Sequence, residues 1–105
     1  MRNFIYGSDA GAAFAALLDC TVEGVVNIGT EERGTIAELV GEIASLIGRP
    51  DLLRLGAGPM PGNEPAVLVP EVRRLYDEVG WRPAVARAEG LRETISWWRS
   101  HLARQ

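Results

Sequence analysis

Side chains that commonly do chemistry are few in this sequence. There is one histidine, His101, one cysteine, Cys20, and no lysine; all eleven basic residues are arginine. Without lysine there can be no Schiff base, no P-loop amine and no lysine general base. His101 falls near the end of a helical pattern with no nucleophile or ligand spacing around it. It is expected at the surface, favouring a helix C-terminus when charged. Cys20 has no second cysteine and no adjacent base, so an inert thiol is expected and an intrachain disulfide is excluded. The fourteen acidic residues are scattered. Glu31-Glu32 and Glu38/Glu42 read as solvated loop and helix positions, without the spacing of a known cation site. Gly56-x-Gly58-x-x-x-Gly62 matches a dinucleotide fingerprint only in part. Its third glycine is misplaced and no strand-to-helix unit surrounds it, so a plain loop is expected. Trp81, Trp97 and Trp98 could form a stacking platform, but aromatics at helical spacing near a terminus are usually core, and core is expected here.

The elements that would position these residues follow from periodicity. Asn3 to Tyr6 suits a short strand. Ser8 or Asp9 can cap a helix running to about Asp19, with Ala10, Ala13, Phe14, Leu17 and Leu18 on one face. Gly24 to Ile28 reads as a buried strand ending at Gly29. Thr35-x-x-Glu38 is a capping box, and Ile36, Leu39, Val40, Ile43, Leu46 and Ile47 carry the helical period onward to Gly48 and Pro50. Leu52 to Leu55 and Ala66 to Val69 are expected as strands on either side of a Gly/Pro-rich loop, residues 56–65. Pro70 is expected to open a helix with Val72, Leu75, Tyr76 and Val79, closed by Gly80. Trp81-Arg82-Pro83 connects it to a last helix from about Ala88 to Leu102, with Leu91, Ile95, Trp98 and Leu102 on one face. The fold class expected is a small single α/β domain, residues 1–105, of about four helices and a few short strands.

Length, charge and composition narrow the function classes. The chain has 105 residues, 47% of them hydrophobic, with a formal net charge of -3. That is one small globular domain, with no basic surplus to indicate nucleic acid or an anionic membrane as partner. The longest apolar run, Ala10 to Leu18, is too short to span a bilayer. Asp9 interrupts the region where a signal-peptide core would lie, and Asp19 spoils the lipoprotein-like Leu17-Leu18-Asp19-Cys20. A cytoplasmic location is therefore expected. No internal repeat or linker divides the chain, and by composition and pattern alone it holds no self-contained active site.

Four segments together carry a resemblance. Arg2-Asn3-Phe4-Ile5-Tyr6-Gly7-Ser8-Asp9-Ala10 is similar to the Arg-Asp-Phe-Ile-Tyr/His-Val-Asp-Asp-Ala motif of extended short-chain dehydrogenases. Val26-Asn27-Ile28-Gly29-Thr30 resembles that family's Asn-Leu/Ile-Gly-Thr/Ala strand end, with the Thr35-capped helix at the right distance. Asn63-Glu64-Pro65, and the Arg74-Leu75 helix ending in Gly80-Trp81-Arg82-Pro83, resemble its Gly/Asn-Asp/Glu segment and Leu-Gly-Trp-x-Pro signature. Glu89 to Trp98 resembles its final helix. Order and spacing extend the likeness across nearly the whole chain, to the C-terminal, substrate-binding region of an NAD-dependent epimerase/dehydratase of the nucleotide-sugar type.

The resemblance implies a lobe that binds a nucleotide-sugar and is not catalytic alone. The family's Rossmann domain, its NAD or NADP, and its Tyr-x-x-x-Lys pair lie upstream of the matched region, so no cofactor is expected on this segment and no catalytic residue is assigned to it. By the same resemblance Arg2 faces the substrate diphosphate, which a guanidinium can fork onto. Glu64, beside Asn63, accepts a hydrogen bond from the ribose. Pro61 stands where many members place a second arginine, Asn3 and Ser8 replace acidic residues, and Ala86 replaces a Ser or Thr helix cap. The implied origin is a truncated gene product or an excised domain. The implied partner for the helix from Asp9 and the strand Val25 to Ile28 is the Rossmann domain, or else a second copy, with Phe14 and Val26 in or near the contact. The rival reading is a non-enzymatic oligomerisation or protein-interaction module built on the same fold.

Overall fold

The computed structural model describes residues 1–58, 62 and 64–104. Strand β1 (Arg2–Asn3) pairs antiparallel with β2 (Arg33–Gly34), with Arg2 opposite Gly34 and Asn3 opposite Arg33. On its other side Arg2 makes a single parallel bridge to Leu68. The helices are α1 (Gly7–Leu18), α2 (Ile36–Ile47) and α3 (Arg87–Ala103), with a π-helical segment at Arg74–Val79 and a 3-10 turn at Pro50–Leu52. Four helices and one small sheet are a helix-rich version of the expected α/β domain.

Helix α2 forms as its sequence dictates. The Thr35 side chain accepts from the Glu38 N–H, the Glu38 carboxylate accepts from the Thr35 N–H, and Gly48 closes the helix in the left-handed conformation. Helix α1 starts differently. Its cap is Tyr6, with no side-chain bond, and neither Ser8 nor Asp9 caps it. Asp9 is turned inward and almost fully buried. Its carboxylate accepts from the N–H groups of Ala84 (3.2 Å) and Val85 (2.9 Å), just before α3. A tertiary demand for two acceptors has overridden the local capping preference.

All four expected strands shrink or vanish; of Asn3 to Tyr6 only Asn3 lies in β1. Residues 24–28 have no ladder partner among the described residues; Val25 is 84% exposed, while Val26 and Ile28 pack on the core as side chains only. Their backbone is held from the side instead. The Arg74 guanidinium donates to the carbonyls of Glu23 and Val25, and the Asn27 amide donates to Glu71. Leu52 ends the 3-10 turn that Pro50 starts, and of Ala66 to Val69 only Leu68 bridges. A short apolar run becomes a strand only where another strand offers a ladder. Pro70 does not open the next helix. The Glu71 carboxylate accepts from the Arg73 N–H (2.8 Å), so the helix begins after it. Gly80, with a φ of 79°, closes that helix as expected.

The core is small: Ala13 of α1 with Val72, Leu75 and Tyr76, flanked by Val26, Ile28, Val79 and Trp81. Of the apolar face expected on α1, only Ala13 is buried, and Phe14 and Leu18 face outward. Trp81 packs on the core as expected, whereas Trp97 and Trp98 do not; both are more than half exposed.

Candidate functional site

Arg2 is held in the middle of the small sheet, and this fixes its side chain. The guanidinium donates through Nη1 to the Met1 carbonyl (2.9 Å) and through Nη2 to the Pro65 carbonyl (2.9 Å). Nη2 also lies 3.5 Å from a carboxylate oxygen of Glu64. The Arg2 side chain is 19% exposed and that of Glu64 57%. Arg2 is therefore no frayed terminal charge. Its cation is tied to the 64–65 segment, with the Glu64 carboxylate on the outer side. The two residues lie 62 positions apart in sequence, and the Leu68 bridge with the Leu68 N–H to Met1 carbonyl bond (2.9 Å) brings them together. Asn63 and Pro61 lie outside the described residues.

Next to Arg2, Asn3 organises the surrounding loop. Its amide nitrogen donates to the carbonyls of Thr30 and Glu32 (2.7 Å each) and approaches the Thr30 hydroxyl (3.0 Å), while its oxygen accepts from the Thr30 N–H (3.1 Å). Two carbonyl acceptors require a donor here, which an ionised aspartate lacks. Gly29 is needed by close approach: an added Cβ would lie 2.4 Å from Pro70 and 2.9 Å from the Asn3 oxygen. From the same loop, the Glu32 carboxylate accepts from the Arg87 N–H (3.1 Å) at the start of α3. That helix has Ala86 as its cap, with no side-chain bond, and Glu32 supplies the missing acceptor from across the fold. The Arg87 side chain in turn pairs with Glu42 of α2 (3.1 Å), both largely buried. Glu32 and Glu38 are exposed as expected, Glu38 in its capping box, while Glu42 is partly buried against Arg87, and Glu32 and Glu42 serve as acceptors across the fold. Sequence reasoning missed the roles of Glu32 and Glu42 because their donors come from distant segments, although the acceptorless Ala86 was a signal that something else must cap α3.

Residues 30–34 and 64–68 meet Arg2 and Asn3, and residues 84–90 join them through Tyr6, Asp9 and Glu32. Curated proteins align with this whole assembly. The chain is 31% identical over 100 residues to dTDP-4-dehydro-6-deoxy-D-allose reductase from a Streptomyces species, a match covering 95% of this chain and 30% of the relative. UDP-glucuronic acid decarboxylase 1 of Danio rerio is 30% identical over 104 residues, covering 99% and 24%. The human dTDP-D-glucose 4,6-dehydratase is 29% identical over 108 residues, covering 96% and 30%. The chain belongs to the NAD-dependent epimerase/dehydratase family. It corresponds to that family's C-terminal region and spans less than a third of the length of these relatives. No protein-family profile matches it. No solved structure matches it either.

In this member of the epimerase/dehydratase family, the remaining reactive side chains among the described residues make structural contacts. The Tyr76 hydroxyl accepts from the Glu31 N–H (3.1 Å), and the Arg82 guanidinium lies 4.5 Å from its ring centre. Tyr6 packs against Gly90, where an added Cβ would lie 2.9 Å from its ring. The Cys20 thiol donates to the Leu17 carbonyl. His101 stacks on Trp97 with ring centres 4.8 Å apart, on the exposed side of α3 where a surface histidine was expected. Among the described residues there is no cluster of three or more metal-ligating side chains, and no helix is long and apolar enough to cross a membrane. The resolved pKa shifts lie away from Arg2. The Arg74 guanidinium holds Glu78 below the usual carboxylate value, and Arg49 does the same to Asp51, through exposed hydrogen-bonded pairs.

Proposed function

We propose that this chain is the nucleotide-sugar-binding part of an epimerase/dehydratase-type enzyme and is not catalytic alone. The observation that carries the reading is the Arg2–Glu64 pair: a forked cation and an exposed acceptor, remote in sequence, set side by side where Arg2 lies between β2 and Leu68. Such a pair suits a diphosphate on the guanidinium and a ribose hydroxyl on the carboxylate. Asn63, which precedes Glu64 in the sequence, belongs to the same proposed site. A diphosphate would have to replace the two carbonyl contacts that now hold Arg2, and a single cation near water contributes modestly. Binding by this segment is therefore weak.

The described part of the Gly56 loop lacks the strand-to-helix turn of a dinucleotide fingerprint. Gly56 lies in a turn with a φ of 77°, and no helix starts in the described residues of the following loop, so no helix N-terminus faces a phosphate there. NAD or NADP, which the family implies, would be held by a cofactor domain. Phe14 and Leu18 on α1 and Val25 in the 24–28 segment are exposed apolar side chains that such a domain would cover. The rival reading, a non-enzymatic interaction module, draws on the same surface and requires no ligand on Arg2.

Calorimetric titration with uridine, thymidine and guanosine diphosphate sugars tests the first reading. Weak binding is expected, lost in Arg2→Ala and reduced in Glu64→Gln, with no turnover when NAD or NADP is added. Arg2→Ala binding as well as the unaltered chain would remove Arg2 from the site, and no binding by any of these would favour the interaction module.

A further inference from the structure

The Arg2 guanidinium is already occupied. Its Nη1 donates to the Met1 carbonyl and its Nη2 to the Pro65 carbonyl, and Nη2 also lies 3.5 Å from the Glu64 carboxylate. The Arg2 side chain is 19% exposed and that of Glu64 57%, so of the two charges the anionic one is the more open to solvent. Among the described residues no other cation lies within ion-pair distance of Glu64. The two carbonyls are neutral acceptors. The carboxylate is the one group in this set that repels an incoming anion.

A bare guanidinium discriminates little among phosphates, because any of them can fork onto it. A carboxylate beside its Nη2 removes that generality. Inorganic pyrophosphate near neutral pH carries several negative charges and offers acceptor oxygens, so on Arg2 it sets anion against anion at Glu64. In bulk water that is about a 5-fold penalty for each pair of unit charges about 4 Å apart. A nucleoside diphosphate brings something more. Its ribose hydroxyls are donors, and an ionised carboxylate is an acceptor only. Turned onto a hydroxyl, Glu64 releases Arg2 and keeps a hydrogen bond. The group that opposes a bare anion then helps to hold the ribosyl one. A charge left unpaired against the wrong ligand gives specificity in this way, and a site built for a hydroxyl rejects the analogue that lacks it.

We propose that Glu64 determines the specificity of the Arg2 site as a built-in competitor for the guanidinium: it excludes inorganic pyrophosphate and other anions without a hydroxyl, and a diphosphate carrying a ribose displaces it. This role rests on the nucleotide-sugar reading of Arg2 and Glu64, and adds that the carboxylate acts against the wrong anion as well as for the right one.

NMR titration of the 105-residue chain, read at the Arg2 guanidinium and the Leu68 amide, is the test. The ligands are inorganic pyrophosphate, uridine diphosphate and the dideoxyribose analogue of uridine diphosphate. The unaltered chain is expected to bind uridine diphosphate at least about 5-fold more tightly than either of the others. Glu64→Gln is expected to bind pyrophosphate and the dideoxy compound about 5-fold more tightly than the unaltered chain, and uridine diphosphate more weakly. The gain is expected to vanish when Arg2→Ala is added. Glu93→Gln removes the same charge from an exposed position on α3 and is expected to bind all three as the unaltered chain does. Pyrophosphate affinity that is unchanged or lower in Glu64→Gln, with uridine diphosphate still bound at Arg2, overturns the proposal and leaves the nucleotide-sugar reading standing. A gain that Glu93→Gln reproduces, or that survives loss of Arg2, overturns it too, because net charge alone would then account for the effect. If no ligand shifts the signals in any of the proteins, the Arg2 site itself falls, and the proposal with it.

Discussion

Replacing Asp9 by alanine removes a buried carboxylate that ties α1 to the connector ahead of α3. The carboxylate accepts from Ala84 N–H and Val85 N–H at 3.2 and 2.9 Å and is 4% exposed. A net hydrogen bond to a charged group contributes about 1.5–3 kcal/mol, and a buried donor left without a partner costs about 1–3 kcal/mol. Ala84 is exposed, so water can reach its N–H once the carboxylate is gone; Val85 is half-buried and its N–H is the costlier loss. One full loss and one partial loss give about 2–4 kcal/mol. For a chain of this length that lowers Tm by roughly 8–20 °C. Asp9→Asn keeps one acceptor but turns an amide NH2 toward the other N–H, so it should fall between the parent and Asp9→Ala. Urea and thermal unfolding followed by circular dichroism measure both. A loss in Asp9→Ala below about 0.5 kcal/mol, within the range of ordinary surface substitutions, would refute the anchoring role.

Two further outcomes follow from the same structure. Asn3→Asp sets a carboxylate against the carbonyls of Thr30 and Glu32, so unfolding should show a loss of about 1–3 kcal/mol; equal stability would mean the loop is not held by the amide. Glu78 has its folded pKa lowered by Arg74, so its contribution is present above the ordinary value of 4.5 and is lost as pH falls through the folded value. Between about pH 5 and about pH 3 the urea midpoint of the parent should therefore fall more than that of Glu78→Gln, and parallel slopes would argue against the pair.

Local signals that needed no partner were legible in the sequence. The capping box at Thr35 and Glu38, the Gly48 and Gly80 terminators and the last helix follow from bonds made within a few residues, and they formed where periodicity placed them. Family membership was also legible, because motif order survives without knowledge of contacts. Arg2 and Glu64 were both named from sequence by resemblance, but only the bridge at Leu68 puts them 3.5 Å apart. The roles of Asp9, Asn3 and Glu32 were hidden for one physical reason. Each satisfies backbone groups 27 to 76 residues away, and which donors a fold leaves unpaired is decided only when the segments meet. Strand formation at residues 24–28 failed for the complementary reason: the apolar pattern was present, but a ladder needs a neighbouring strand, and among the described residues none lies beside it. The sequence by itself determined α2 and α3, the stops at Gly48 and Gly80, and the kinship; tertiary structure decided where the other two helices begin, which polar side chains became anchors, which apolar faces stayed open, and that an arginine at position 2 would be held in a sheet with an acceptor at its side.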